Sequence, residues 1–144
     1  MPKHAEQHKL PYTPEQMYDL VADVKRYPEF LPWCVATRIR QDSETMMVAD
    51  MVIGFKVFRE GFTSRVTMER PKTIRVEYEN GPFKYLHNHW IFNEDGDGSC
   101  TVDFAVDFEF RSRLLDKAIG AVFTEAVKRM VNAFEGRAKK LYGS

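Results

Sequence analysis

Residues 100–142 read CTVDFAVDFEFRSRLLDKAIGAVFTEAVKRMVNAFEGRAKKLY, and the spacing of the apolar residues changes once along this stretch. From Cys100 to Phe110 apolar side chains occupy alternate positions, which is the period of a strand with one buried face. After Ser112, which we expect to be an N-cap, they recur at intervals of three and four, which predicts one amphipathic helix to about Tyr142. A half-buried strand followed by a long one-sided helix indicates that the helix covers a sheet.

The same two-residue period runs through most of the preceding chain, interrupted by turn residues. Short connections between successive strands favour an antiparallel meander. Ahead of the meander, Thr13, Pro14 and Gln16 have the pattern of a capped helix start, and Pro28 is expected to open a second short helix. The expected strands are Lys3–Leu10, Cys34–Arg40, Thr45–Ile53, Phe58–Glu69, Thr73–Tyr78, Tyr85–Phe92 and Cys100–Phe110, with a turn or bulge at Gly54–Val57.

The predicted fold class is therefore α+β, with residues 1–144 forming a single domain. We expect a curved antiparallel sheet of about six to seven strands, two short helices after the first strand, and a long C-terminal helix packed across the sheet. Gly120 and Gly136 fall inside that helix, which indicates either close approach by a ligand or strand, or tight helix packing.

Charge and composition restrict the partners. Lys plus Arg and Asp plus Glu both number 21, so the formal net charge is zero, which argues against a dedicated nucleic-acid binder and predicts no DNA partner. The sequence shows no secretory signal and no apolar run long enough to span a bilayer, so we expect a cytoplasmic protein that can still touch a membrane surface. Cys34 and Cys100 form no CxxC motif and are expected to be free thiols.

Several segments resemble the coenzyme Q-binding START-domain family, in the same order and over nearly the whole chain. The resemblance implies the helix-grip fold of the polyketide cyclase/dehydrase-like START superfamily. The segments that carry it are Val21–Cys34 (VADVKRYPEFLPWC), Phe62–Val66, Gly81–Phe83, Trp90–Phe92, Phe108–Ser112, Ala133–Phe134, Arg137–Ala138 and Leu141–Gly143.

The resemblance implies two activities. Mitochondrial members are coenzyme Q chaperones needed for cellular respiration, whereas a bacterial branch, of toxin–antitoxin type, is described as a toxin that blocks association of ribosomal subunits. The chain shows no mitochondrial transit peptide, so we expect a bacterial member, cytoplasmic or peripheral to the inner membrane. The main hypothesis is binding of an isoprenoid quinone (ubiquinone) as a lipid chaperone, with no cofactor required. The first alternative is the ribosome, for which the local basic residues are Arg38, Arg40, Lys128, Arg129, Arg137, Lys139 and Lys140.

The inward-facing residues form either an ordinary core or the wall of a ligand cavity, and the resemblance implies the cavity. Polar anchors in it would be Ser64, Asn88 and the hydroxyl of Tyr78; Asn88 would bond either a quinone carbonyl or the backbone. The expected ligand-binding residues are Phe62, Ser64, Val66, Met68, Val76, Tyr78, Asn88, Trp90, Phe104, Val106, Phe108, Ile119, Val122, Phe123, Ala126 and Met130.

An aromatic, proline-containing segment supplies four further residues, Tyr27, Phe30, Leu31 and Trp33, which form either an entrance or lid over the cavity or a buried structural corner.

Catalytic and metal motifs are not found. The sequence contains no GxSxG, P-loop, HExxH or dinucleotide fingerprint, so we expect no enzyme and no catalytic residue; a cyclase-type enzyme is the second alternative. His87 and His89 share a strand face opposite Trp90 and have no apparent third ligand, so no metal site is expected.

Overall fold

A computed structural model describes residues 3–55, 58–121 and 123–143, with the side chains of residues 55, 58, 123 and 124 excepted. In these ranges the chain forms seven strands, three α-helices and a 3₁₀ helix. The elements are β1 (Lys3–Leu10), α1 (Pro14–Ala22), the 3₁₀ helix (Val24–Glu29), β2 (Cys34–Asp42), β3 (Met46–Phe55), β4 (Phe58–Glu69), β5 (Thr73–Asn80), β6 (Phe83–Glu94), β7 (Cys100–Phe110), α2 (Arg113–Gly120) and α3 (Phe123–Tyr142).

All seven strands belong to one antiparallel sheet, in the order β1-β7-β6-β5-β4-β3-β2. Strands β2 to β7 form a meander, and β1 pairs with β7 from Lys3 opposite Asp107 to Leu10 opposite Cys100. The α+β class and the antiparallel meander predicted from periodicity are confirmed. Residues 56 and 57 of the expected Gly54–Val57 turn lie outside the described residues, and Gly54 itself belongs to β3.

The first helix begins where the capping pattern predicts. The Thr13 hydroxyl accepts from the Gln16 backbone N–H at 3.1 Å, and the Gln16 side chain accepts from the Thr13 N–H at 3.0 Å. The expected second helix is instead the 3₁₀ helix, and Pro28 lies inside it rather than at its start. A proline fits such a short element because few of its backbone N–H groups have helical partners to lose.

The C-terminal helix was predicted as one element and is two. Helix α2 ends at Gly120 and α3 begins at Phe123, so a short helix precedes the long C-terminal helix, which is confirmed as α3. Among the described residues, a Cβ added at Gly120 or Gly136 would meet nothing within 4 Å, so neither a closely approaching strand nor tight helix packing explains these glycines. Gly120 instead lies at a helix end, where its low helix propensity costs least.

The two helices cover different parts of the inner sheet face. Leu115 of α2 packs in a cluster with Phe83, Phe108 and Phe110, whereas Phe134 of α3 packs in the main apolar core. The break between α2 and α3 therefore coincides with the division between two apolar clusters. The space between the sheet and the helices is bordered by both clusters.

Candidate functional site

A cavity of about 280 Å³ lies between the inner face of the sheet and the helices. Fifteen of the residues predicted for the site line it: Phe62, Ser64, Val66, Val76, Asn88, Trp90, Phe104, Val106, Phe108, Ile119, Ala126 and Met130, together with Tyr27, Leu31 and Trp33 from the entrance segment.

Twelve lining residues were not assigned to the site from sequence. Phe83 and Phe110 lie at strand ends, and α1 and α3 contribute further apolar side chains. The sequence of β3 could have identified three of these residues, because Ala49, Met51 and Ile53 occupy alternate positions and therefore share the inner face of the sheet. The full set is Val21, Val24, Ala49, Met51, Ile53, Gly54, Ile74, Phe83, Leu86, Phe110, Val127 and Phe134.

Three predicted residues do not line the cavity. Met68 is buried in the main core, further along β4 than the cavity wall reaches. The Tyr78 ring packs on the wall residue Phe83 with 5.5 Å between centroids, and the Phe30 ring packs on Phe134 at 5.3 Å. Val122 and the side chain of Phe123 lie outside the described residues.

The entrance segment is both cavity wall and buried corner. Trp33 donates its indole N–H to the Ala126 carbonyl of α3 at 3.3 Å, and the Tyr27 hydroxyl donates to the Val21 carbonyl. Burial raises the pKa of Tyr27 far above its ordinary value. Tyr27 also meets Phe134 edge to face, with 5.5 Å between centroids. These contacts fix the segment against α1 and α3 and hold Trp33 at the cavity.

Asn88 has its hydrogen bonds within the protein. Its amide N–H donates to the Ala105 carbonyl at 2.9 Å, and its Oδ1 accepts from the Trp90 indole at 3.0 Å. Of the two partners considered from sequence, the backbone is the one observed. Asn88 therefore orients Trp90 in the wall and does not need a ligand oxygen.

Two hydroxyls lack such partners. Ser64 is 4% exposed and lines the cavity, and its side chain makes no hydrogen bond in the part of the chain that the structure describes. The Tyr78 hydroxyl is buried and is likewise without a partner there. Among the described lining residues none is acidic or basic, so the cavity is apolar apart from these few neutral groups.

The basic residues singled out from sequence divide into two groups. Arg137 bonds Glu29 at 2.9 Å and its guanidinium lies 5.1 Å from the centre of the Phe30 ring, so it ties α3 to the 3₁₀ helix rather than facing solvent freely. Arg40 and Arg129 also form ion pairs, with Asp50 at 2.6 Å and Glu125 at 3.4 Å. Arg38 of β2 and Lys128, Lys139 and Lys140 of α3 are exposed.

Within the described ranges no group of three or more His, Cys, Asp or Glu side chains is arranged to hold a metal ion. His87 is exposed and stacks on Tyr85 with 5.9 Å between ring centres. No helix in those ranges is both long enough and apolar enough to cross a membrane.

An antiparallel sheet gripping a C-terminal helix over an apolar cavity defines a class of hydrophobic-ligand folds. Residues 10–135 match the family described as polyketide cyclase / dehydrase and lipid transport, and the chain belongs to that family.

Relatives resemble it over nearly the whole chain. The ribosome association toxin RatA of Pseudomonas aeruginosa is 40% identical over 134 residues, 93% of each chain. RatA of Escherichia coli K12 is 37% identical over 144 residues, covering 100% of this chain and 91% of that protein. The mitochondrial coenzyme Q-binding protein COQ10 homolog B of Xenopus laevis is 34% identical, covering 98% of this chain and 59% of that protein.

Solved structures confirm the helix-grip fold. An 18 kDa protein from Caulobacter crescentus superposes with a TM-score of 0.79 at 38% identity, with both chains covered completely. A START superfamily protein from Mycobacterium smegmatis gives 0.81 at 15% identity, covering 96% of this chain and 98% of the other. The Zhui aromatase/cyclase from Streptomyces gives 0.82 at 15% identity, covering 96% and 94%, which is a likeness of fold alone.

Proposed function

We propose that residues 1–144 act as one domain that binds a hydrophobic molecule reversibly in the cavity between sheet and helices. The observation that carries this proposal is the cavity wall, in which aliphatic and aromatic side chains surround about 280 Å³ and no described lining side chain is charged. Burial of apolar ligand surface contributes about 25 cal/mol per Å² before the costs of association. A cavity of this kind favours uncharged, largely hydrocarbon ligands.

The cavity volume restricts the ligand. Small-molecule sites span roughly 300–1,000 Å³, so this cavity lies just below that range. It suits a compact apolar group or one end of a longer chain. An isoprenoid quinone would bind through its ring and the adjoining part of its tail, and the likeness to the COQ10 homolog supports quinones as the first ligands to test.

The two tryptophans provide the assay, since Trp33 and Trp90 both line the cavity. Protein purified without detergent should yield a lipid on solvent extraction and mass spectrometry, and a short-chain ubiquinone should quench the tryptophan fluorescence saturably. Met130→Trp should abolish saturable binding because it fills the cavity from α3. The matched control is Leu114→Trp, at a position 72% exposed and outside the wall, which should bind normally. An empty protein that ignores added quinone and other lipids would refute the proposal.

For the biological target we propose the ribosome, in the manner that the names of the toxin relatives indicate. RatA of P. aeruginosa is matched over 93% of its length at 40% identity, whereas the COQ10 homolog is matched over 59% at 34%. The comparisons thus favour the ribosome over a role as a respiratory quinone chaperone. With this target we propose a location in the bacterial cytoplasm; transient contact with the inner membrane belongs to the quinone alternative.

The charge distribution supports the ribosome proposal. Residues 113–142, which include both C-terminal helices, contain seven Lys or Arg and three Asp or Glu, although the whole chain is neutral. The rest of the chain therefore carries a net negative charge, and positive charge is concentrated in the C-terminal helices. Phosphate groups of ribosomal RNA attract such a surface. The exposed lysines of α3 are Lys128, Lys139 and Lys140.

Sucrose gradients test this target. Overproduction should lower the 70S peak and raise the separate subunits, and a variant with Glu at 128, 139 and 140 should lose the effect. The matched control reverses three exposed cations on the sheet side, Arg59, Lys72 and Arg75, and should behave as wild type. An unchanged 70S profile with wild-type protein would rule the ribosome out.

The cyclase alternative has no support at the site. No described lining residue is a carboxylate, imidazole, ammonium or thiol, so the wall offers no general acid or base of the usual kind. The curated relatives compared above are named as toxins and as a coenzyme Q-binding protein, and the cyclase resembles this chain in fold alone.

A further inference from the structure

The hydrogen-bonding groups around the cavity are almost all paired. The Asn88 amide bonds Ala105 and Trp90, the Tyr27 hydroxyl bonds the Val21 carbonyl, and the Trp33 indole bonds the carbonyl of Ala126. Buried polar groups are normally paired, so an exception needs a reason.

Ser64 and Tyr78 are the exceptions. Ser64 lines the cavity, is 4% exposed and has no side-chain hydrogen bond in the described part of the chain. Tyr78 is the residue directly opposite Ser64 in the register of β4 and β5, and its buried hydroxyl also has no partner there. Side chains directly opposite on neighbouring strands lie on the same face of the sheet. Two unpaired hydroxyls therefore arise from one strand pair beside the cavity.

We infer that the Ser64–Tyr78 strand pair is a polar subsite for a neutral oxygen group, a carbonyl or hydroxyl, on an otherwise apolar ligand. This rests on the proposed ligand-binding function and adds to it the chemical class of the ligand. Ser64 lines the cavity and contacts the ligand oxygen, whereas Tyr78 lies beside the cavity with its ring on the wall residue Phe83. A ligand oxygen bonded to Ser64 would satisfy a hydroxyl that the free protein leaves unpaired.

The side chains that line the cavity disfavour a ligand with a charged end. No described lining side chain is cationic, so a carboxylate would lose its hydration without gaining a counter-ion. A pure hydrocarbon would fit the wall and leave both hydroxyls unpaired. The order of affinity expected from the wall is neutral ketone or alcohol first, hydrocarbon second and carboxylate last.

Three probes of similar size separate these cases: butyrophenone, butylbenzene and 4-propylbenzoate. Binding to the full chain is followed by NMR titration of the indole N–H signals, since both tryptophans line the cavity. Wild type should bind butyrophenone about tenfold more tightly than butylbenzene, which corresponds to one or two neutral hydrogen bonds. The double variant Ser64→Ala/Tyr78→Phe should lose this preference and bind the two equally. The variant should also be at least as heat-stable as wild type, because it deletes only unpaired hydroxyls.

The possible outcomes test the polar subsite and ligand binding in the cavity separately. A ketone preference that survives in the double variant, tighter binding of the carboxylate, or a marked loss of thermal stability in the variant would each overturn the subsite while ligand binding stands. If none of the three probes binds wild type, the proposed ligand-binding function fails, and the subsite with it.

Discussion

Replacing Phe134 should weaken the packing between three parts of the molecule. Phe134 is 4% exposed on α3 and meets three other rings edge to face, Tyr27, Phe30 and Trp90, at centroid distances of 5.5, 5.3 and 5.1 Å. One side chain thus joins the C-terminal helix to the entrance segment and to the sheet. Replacing Phe134 by Ala removes all three contacts at once.

The expected cost is large. Truncation of a buried Phe to Ala costs roughly 3–5 kcal/mol, which combines lost transfer free energy with the cavity left behind. Each aromatic pair contributes about 0.5–1.5 kcal/mol beyond burial, which favours the upper half of that range, about 4 kcal/mol. For a domain of this size that is a fall in the thermal midpoint of roughly 10 °C or more.

Urea denaturation followed by circular dichroism measures the change in the free energy of unfolding. The control is Leu114→Ala, at a residue 72% exposed, for which a change within about 0.5 kcal/mol is expected. If Phe134→Ala costs less than about 1 kcal/mol, Phe134 does not join the three elements, and the reasoning from ring contacts is wrong.

Three further predictions follow from single contacts. Asn88→Leu should cost roughly 2 kcal/mol of unfolding free energy in urea, since it leaves an indole N–H and a backbone carbonyl buried without partners; a neutral variant would contradict this. Burial raises the pKa of the Cys34 and Cys100 thiols to about 11, so near pH 8 iodoacetamide should label them only in urea, and mass spectrometry showing rapid native labelling would disprove it. The hydrogen bond from Arg137 lowers the pKa of Glu29, so the pair's stabilisation is present above the ordinary carboxyl pKa and is lost as pH falls through the lowered value. The difference in thermal midpoint between wild type and Glu29→Gln should therefore be largest near pH 7 and shrink as the pH falls below the ordinary carboxyl pKa; a difference that does not change with pH would exclude the pair.

The sheet was predictable because one face of each strand is buried. Strand β7 was bounded correctly at Cys100–Phe110, where alternation is uninterrupted, and the reciprocal Thr13–Gln16 cap gave the start of α1. The joint between α2 and α3 was missed because apolar spacing continues through it. Gly120 was the local signal, but a glycine inside a helical pattern marks a break only when tertiary packing uses it.

The site was predictable in its apolar part and less so in its polar part. Alternation places side chains on the inner face, so residues such as Val66 and Phe104, which were predicted for the site, line the cavity. Alternation does not show how far the cavity extends along each strand, which is why Met68 was included in the predicted site and Phe83 was omitted. Hydrogen-bond partners depend on three-dimensional neighbours, so the sequence left Asn88 between a ligand and the backbone.

The pairing of β1 with β7 has a consequence for the order of assembly. Leu10 pairs with Cys100, so β1, which is synthesised before the meander, joins the sheet only after β7 exists. Contacts of such long sequence separation form slowly, because the entropy of closing a long loop is lost before any hydrogen bond between the strands can stabilise it. Amide protection in β1 should therefore appear last in refolding, and a mutation confined to that strand should accelerate unfolding while leaving the refolding rate of the meander unchanged.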